Sequence, residues 1–514
     1  MDASKIIKKE KFGKLRESLR MAEKKVVLCH GVYDLLHYGH IEHLQEAKSQ
    51  GDILVVSVTA AKYVNKGPGR PYFNDQQRMN FLANLEIVDY VILSENITVH
   101  EIVKYVQPDL YVKGQEYAKS KNDITGNIDS EQAVVEKYGG HIFFTQGAVF
   151  SSTKLLNNFF DALPEAVVKE SYVLKDKYGM DLMNKMRKWI NDFSKLKILV
   201  VGDIIIDEYT FCKVQGLTSK DAAMSTRYES EERYAGGSLA IARHLKNFSD
   251  EVALCSMMGT ETELTTYIED ALANVNMEIV HDESFITPVK KRFLKSNPQR
   301  QEYDKLFSIN RMLDNKQIQT VDYTLFHEKL RRILPQYDLV VVCDYGHGLL
   351  DKKSLRILEE KSKFLAVNCQ TNSSNYGMNI ITKYHRADTF VVDERELRLA
   401  FGQAVTSPDE LLTKLKNKLT CEYAWVTLGA NGALGKTNTE TSLLPAVTLH
   451  VKDTVGAGDA FYSLVVLGAA TGMPIELVTL LGNLAGAIKT NLIGNSKSVG
   501  KVDILKFLST VLNV

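Results

Sequence analysis

The chain has 514 residues, 45% of them hydrophobic and 25% charged, and its 63 Lys and Arg balance 63 Asp and Glu to a formal net charge of zero. That length exceeds one ordinary core and predicts two domains, and the balanced charge gives no electrostatic case for nucleic acid or an anionic membrane as partner. No run approaches the ~18 apolar residues of a membrane span, and no signal-peptide core follows the lysine-rich start. The six cysteines fall in no CxxC or Cys/His cluster, as expected of reduced thiols in a cytoplasmic protein.

Apolar positions Ile6, Ile7, Phe12, Leu15 and Leu19 predict a short amphipathic helix. Strand-like apolar runs follow at 26–28, 53–58, 90–93, 110–112 and 142–144, with helical patterns between them, the alternation of a parallel doubly wound sheet. Residues 29–48, CHGVYDLLHYGHIEHLQEAK, read as strand end, tight turn and helix. His37 and His40 therefore sit where unpaired N–H groups and the helix dipole favour an anion. Imidazoles at that place can stabilise charge building on a nucleotide phosphate.

Further features line up downstream. NKGPGRP (65–71) is a basic loop carrying Lys66 and Arg70, DQQR ends in Arg78, and VKGQEY sets Lys113 and Gly114 just after a strand. FSSTK places Ser151, Ser152 and Thr153 before an apolar helical pattern, where hydroxyls either cap the helix or bind phosphate. An isolated HxGH is equally well two turn histidines; the conjunction is what points to nucleotidyl transfer. His43 reads as a helix-face residue, since no third metal ligand accompanies it.

A charged stretch with apolar positions at Met180, Leu182, Met183, Met186, Trp189 and Ile190 predicts a helical connector over 161–195, packed against a domain. A second strand–helix system starts at KILVVGDIIIDEY (197–209) and continues through 339–344 and 425–428. In DTVGAGDAF (453–461), Gly456, Ala457 and Gly458 let backbone N–H groups approach a phosphate at the start of an apolar helix. Asp459 is placed there to take the proton of a hydroxyl attacking a γ-phosphate. A lone GxG otherwise marks close helix packing.

Residues 25–160 resemble the cytidylyltransferase-like HxGH family, most closely its ADP-heptose-synthase type. LCHGVYDLLHYGHIEHL, GDILVVSV, KGPGRP, QQRMNFLANLEIVDYVI, QPDLYVKGQEY and SSTK carry that resemblance. It implies attack of a sugar or polyol phosphate on the α-phosphorus of ATP or CTP, with Mg²⁺ and release of pyrophosphate. It also implies that His37 and His40 are catalytic, and that Lys66, Arg78, Lys113 and Ser151 to Thr153 hold phosphate or substrate. His30, Gly31 and Gly39 would shape the nucleotide pocket, with Asp34 on the substrate side.

Residues 196–510 resemble the ribokinase/PfkB sugar kinases through ILVVGDIIIDEY, AGGSLAIARHL, VVCDYGHGLL, WVTLGANGA and the GAGD motif. The implied roles are Asp459 as base and Gly456 to Gly458 as anion cradle. Asp207, Gly236 and Gly237 would face substrate, Gly429 and Asn483 the nucleotide, and Glu396 would organise Mg²⁺ indirectly beside Asp393. Three positions depart from the family: Ala240 replaces a sugar-binding Asn, NCQTN (368–372) replaces an Asp-Pro-Lys segment, and His347 replaces a lysine.

The expected architecture is α/β with two doubly wound domains: a nucleotidyltransferase Rossmann-like domain over 1–160 and a ribokinase-like domain over 196–514, in the reverse of the relatives' usual order. The expected protein is a cytoplasmic homo-oligomer that phosphorylates a sugar and activates it with an NTP. The alternatives are a CDP-polyol-forming enzyme and a transferase with a non-catalytic kinase-like half.

Overall fold

The computed structural model describes residues 3–64, 70–115, 128–146, 163–221, 223–297, 302–372, 375–447 and 451–513. The chain divides into two compact units, Met1–Tyr172 with Leu505–Val514, and Val173–Ile504. The last ten residues thus belong to the first unit, unlike the sequence expectation; their apolar Leu505, Phe507, Leu508, Val511 and Leu512 are all buried.

In the first unit β1 (Val26–Gly31), β2 (Ile53–Thr59), β3 (Tyr90–Ser94), β4 (Leu110–Gly114) and β5 (His141–Thr145) form one sheet in the order β3-β2-β1-β4-β5. Every neighbouring pair is parallel. Successive side chains of a strand point to opposite faces, so an unbroken apolar run is needed where both faces are covered. In β1, Val27 and Cys29 enter one core with Leu54, Val56 and Leu82. Val26 and Leu28 enter the other with Phe12, Ile102 and Tyr111. The strand order reverses between β1 and β4, and an open α/β sheet forms its binding crevice beyond the carboxyl ends at such a point. His30 and Gly31 end β1, and Lys113 and Gly114 end β4.

The strands of the second unit are, in chain order, β6 (Lys197–Gly202), β7 (Ile204–Leu217), β8 (Met224–Gly237), β9 (Glu251–Met258), β10 (Asn276–His281), β11 (Val289–Asn297) and β12 (Glu302–Arg311). There follow β13 (Leu339–Asp344), β14 (Leu365–Cys369), β15 (Thr389–Asp393), β16 (Tyr423–Thr427), β17 (Ala433–Lys436) and β18 (Thr441–Leu444). Nine of them make the main sheet, β10-β9-β6-β13-β14-β15-β16-β17-β18, and β12-β11-β7-β8 make a second, four-stranded sheet. The main sheet is parallel from β10 to β16 and antiparallel beyond. Its order reverses between β6 and β13, which brings Asp203, Asp344 and Tyr345 to the second crevice.

The charged stretch between the motifs is helical, Glu165–Tyr178 and Leu182–Asp192. Leu182, Met186 and Ile190 are buried, and the Tyr178 hydroxyl donates to Glu476 at 3.0 Å. All six cysteines are buried and unbridged. Among the described residues no helix is long and apolar enough to cross a membrane.

Candidate functional site

In the first unit the helix Tyr38–Ser49 begins with His37 as its N-cap, in extended conformation, and Gly39 lies in its first turn. The His37 carbonyl accepts the His40 N–H at 2.9 Å. This folds the two rings together, with centroids 4.0 Å apart and planes at 28°, and Tyr33 packs against His40 at 5.3 Å. Tyr33 has φ +50°, a left-handed conformation that costs a bulky residue ~1–3 kcal/mol and persists where surrounding contacts enforce it. A Cβ on Gly31 would stand 3.1 Å from the Tyr33 ring, so glycine gives that ring its place.

His30 lies beside this turn, its Nδ1 2.8 Å from Ser57 Oγ and its Nε2 3.4 Å from Thr59 Oγ1. Burial, reinforced by the charges of Lys113 and Lys506, pushes its pKa down to about 3. The ring is therefore neutral at physiological pH and serves as a hydrogen-bonding group rather than a cation. Lys113 Nζ is 2.6 Å from Glu131 Oε2, and the Tyr111 hydroxyl donates to the same oxygen at 3.3 Å. His43 Nδ1 meets Thr145 Oγ1 at 3.0 Å, in keeping with a helix-face role.

Two expectations are corrected here. Arg78 is fully buried and is not available to a phosphate. Its Nη1 donates to the carbonyls of Val32 (2.6 Å) and Thr59 (2.9 Å), its Nε to Phe73 (3.1 Å), and its Nη2 to Asp75. Asp34 does not present its carboxylate to a substrate. It is buried, pairs with Arg70 at 3.3 Å and accepts the Phe73 N–H at 3.0 Å. Lys66, Ser151, Ser152 and Thr153 lie outside the described residues.

In the second unit the helix Ala457–Ala470 starts from Gly456, whose φ of +79° suits glycine. A Cβ there would stand 2.5 Å from Asn495 Oδ1. Asp453 fixes the loop by accepting the N–H of Val455 (3.0 Å) and of Gly494 (2.7 Å). Ala457 and Gly458 open the helix, and no atom lies within 4 Å of a Cβ built on Gly458. The first N–H groups of this helix have no intrahelical acceptor and form a ready anion site. Asp459 follows in the same turn, its carboxyl pushed up chiefly by burial and held back by bonds from Tyr345 and Gln370.

Asp207, on β7, is buried and paired with Arg292. Gly236, paired with Ile205, leaves room for the Asp207 carboxylate, since a Cβ there would collide with Asp207 Oδ2. Gly237 (φ +56°) caps the helix Ser238–Lys246, and Ala240 is buried within that helix. Gly429, exposed at φ +58°, follows β16. The Asn483 amide donates to the carbonyls of Leu444 (3.2 Å) and Pro445 (2.9 Å) and anchors the chain at the end of β18. His347 is buried and pushed down to about 3, mainly by burial, so it supplies no positive charge at neutral pH.

Glu396 does not fit a direct metal ligand. It forms a capping box with Asp393, accepting that residue's N–H at 2.9 Å and the Thr371 N–H at 3.0 Å. Burial, with the neighbouring Asp393 charge, pushes its pKa up to about 8. Among the described residues no three His, Cys, Asp or Glu side chains group as a metal site.

Sequence reasoning missed Glu131, Lys506, Tyr345 and Gln370. The first two have no local motif, and the last two stand directly after β13 and β14, at strand carboxyl ends where sites of this architecture form.

Comparison with known proteins follows the same division. Residues 195–499 match the family model described as pfkB family carbohydrate kinase, and residues 28–158 match that described as Cytidylyltransferase-like. The protein named "Bifunctional protein HldE" of Aliarcobacter butzleri (strain RM4018) is 37% identical over 131 residues, 25% of this chain and 27% of that protein. Its namesake in Campylobacter jejuni subsp. doylei is 25% identical over 322 residues, 61% of this chain and 66% of that protein. The matches to these two relatives thus span between 27% and 66% of their length. The crystal structure of Escherichia coli phosphofructokinase-2 in complex with potassium aligns with a TM-score of 0.49 at 16% identity, over 62% of this chain and 99% of that one.

Proposed function

The chain belongs to the pfkB family of carbohydrate kinases, and on that premise we propose a bifunctional enzyme: a sugar kinase and a nucleotidyltransferase that makes an NDP-activated sugar, of the ADP-heptose type. The observation that carries the proposal is one anion site with its own reactive group in each unit. These are the stacked His37 and His40 at the start of one helix and Asp459 at the start of another. The name of the relatives, a bifunctional protein, supports two activities in one chain.

In the first unit an oxygen of the phosphorylated acceptor attacks the α-phosphorus of the NTP. The bond from that phosphorus to the bridging oxygen breaks, and pyrophosphate leaves. His37 and His40 stabilise the charge on the transferring phosphoryl group, with neutral His30 as a hydrogen-bonding wall. Lys113, steadied by Glu131, binds phosphate oxygens. In the second unit Asp459 takes the proton of a sugar hydroxyl as that oxygen attacks the γ-phosphorus, and ADP leaves. Mg²⁺ would be held chiefly by the nucleotide phosphates, where it would neutralise part of their charge, since among the described residues no three His, Cys, Asp or Glu side chains group to ligate it.

The test is a screen of ATP and CTP against heptose, heptose phosphates and glycerol phosphate, reading pyrophosphate and ADP separately. Heptose 1-phosphate with ATP should release pyrophosphate. Release from glycerol phosphate with CTP alone would replace the ADP-heptose reading by the CDP-polyol one.

A further inference from the structure

We infer that Tyr345 and Gln370 are positioning residues for Asp459, holding its Oδ1 so that Oδ2 is the oxygen left to receive the substrate proton. The inference rests on the kinase reading of Asp459 and adds which atom acts and what orients it.

β13 and β14 are neighbouring parallel strands with Asp344 opposite Cys369. The residues just beyond them, Tyr345 and Gln370, therefore emerge side by side at the carboxyl edge of the sheet. Both are anchored: the Tyr345 N–H donates to Asp203 Oδ2 at 2.9 Å, and the Gln370 N–H donates to the Asp344 carbonyl at 2.8 Å. From there the Tyr345 hydroxyl and the Gln370 amide each donate to Asp459 Oδ1 at 3.0 Å. The amide also reaches Asn368 Oδ1 at 2.9 Å, which sets its rotation. No described residue donates to Oδ2.

An oxygen that already accepts two bonds has little capacity for a third, so the proton goes to its twin. Burial together with the Asp459 charge holds the Tyr345 phenol far above its usual range, so it remains a donor throughout the working pH. Gln370 is neutral at any pH. The pair thus fixes the base without forming an ion pair, which leaves the carboxylate both oriented and basic.

The experiment titrates protein labelled with ¹³C at aspartate carboxyls, with the Asp459 resonance identified by its loss in Asp459→Asn. Both donors favour the ionised carboxylate, so removing either raises its titration midpoint. Tyr345→Phe and Gln370→Leu should each raise it by at least ~0.5 pH unit. The acid limb of kcat/KM for sugar-dependent ADP formation should move up with it, while pyrophosphate release is unchanged. An unmoved midpoint in both variants overturns the inference. A shifted midpoint in a protein that forms no ADP with any acceptor supports the positioning and overturns the kinase reading alone.

Discussion

Replacing Arg78 by methionine tests its assignment as a strut rather than a phosphate ligand. Methionine keeps an unbranched stem and removes every donor. Three carbonyls lose a partner: Thr59 is buried, and Val32 and Phe73 are half-buried. An acceptor left unsatisfied away from water costs ~1–3 kcal/mol, and less where water can reach it. Taking most of that for Thr59 and part for the other two, and offsetting the relief of an ion no longer buried, gives a net loss of about 3 kcal/mol. Because the guanidinium ties the end of β2 to the turns after β1 and before the helix Asp75–Ala83, the loss should be local to those segments. Hydrogen exchange measured on peptides covering 26–34 and 53–60 should then accelerate by ~10²-fold. Wild-type protection, together with a KM for NTP raised tenfold or more, would show that Arg78 does bind phosphate.

Two more outcomes follow from the same physical picture. Glu131→Gln keeps the shape but removes the charge 2.6 Å from Lys113, and should raise the KM for the phosphorylated acceptor by ~10-fold in pyrophosphate release with a smaller change in kcat; unchanged kinetics would leave Glu131 with no part in the site. His30, His244 and His347 are each held neutral by burial, with pKa values of about 3. The unfolded chain binds protons at these rings below about pH 6.5 while the folded one does not, so stability is full above that pH and falls progressively toward pH 3. Ring resonances of these three histidines should keep neutral-form shifts from pH 7.5 to 5, and a ring that protonates in that range would contradict its burial.

What the sequence made legible was local. The apolar runs at 26–28 and 53–58 became β1 and β2, and the HYGH turn became the start of a helix, with His37 as its cap and His40 in its first turn. GAGD likewise opened its helix. Arg78 and Asp34 misled because their partners come from elsewhere in the fold. A buried arginine bonded to three carbonyls and a phosphate-facing arginine have the same letter and the same neighbours in sequence. The anchoring of Leu444 and Pro445 by Asn483 was equally invisible, since they reach it only after folding. Lys506 had no signal at all: nothing in the helix Lys501–Leu512 announces that its charge is felt at His30. Asp393 and Glu396 add a role the pattern did not announce, for together they form a capping box at the start of a helix.

The central claim, two separate chemistries in one chain, is tested most directly by measuring, in separate reactions, pyrophosphate release from supplied heptose 1-phosphate and ADP formation on a sugar acceptor by the wild type, His40→Ala and Asp459→Asn. His40→Ala should lower pyrophosphate release by ~10²-fold and leave ADP formation intact, and Asp459→Asn should do the reverse. If both products fall together in either variant, or if Asp459→Asn leaves sugar-dependent ADP formation unchanged, the two-site account is wrong.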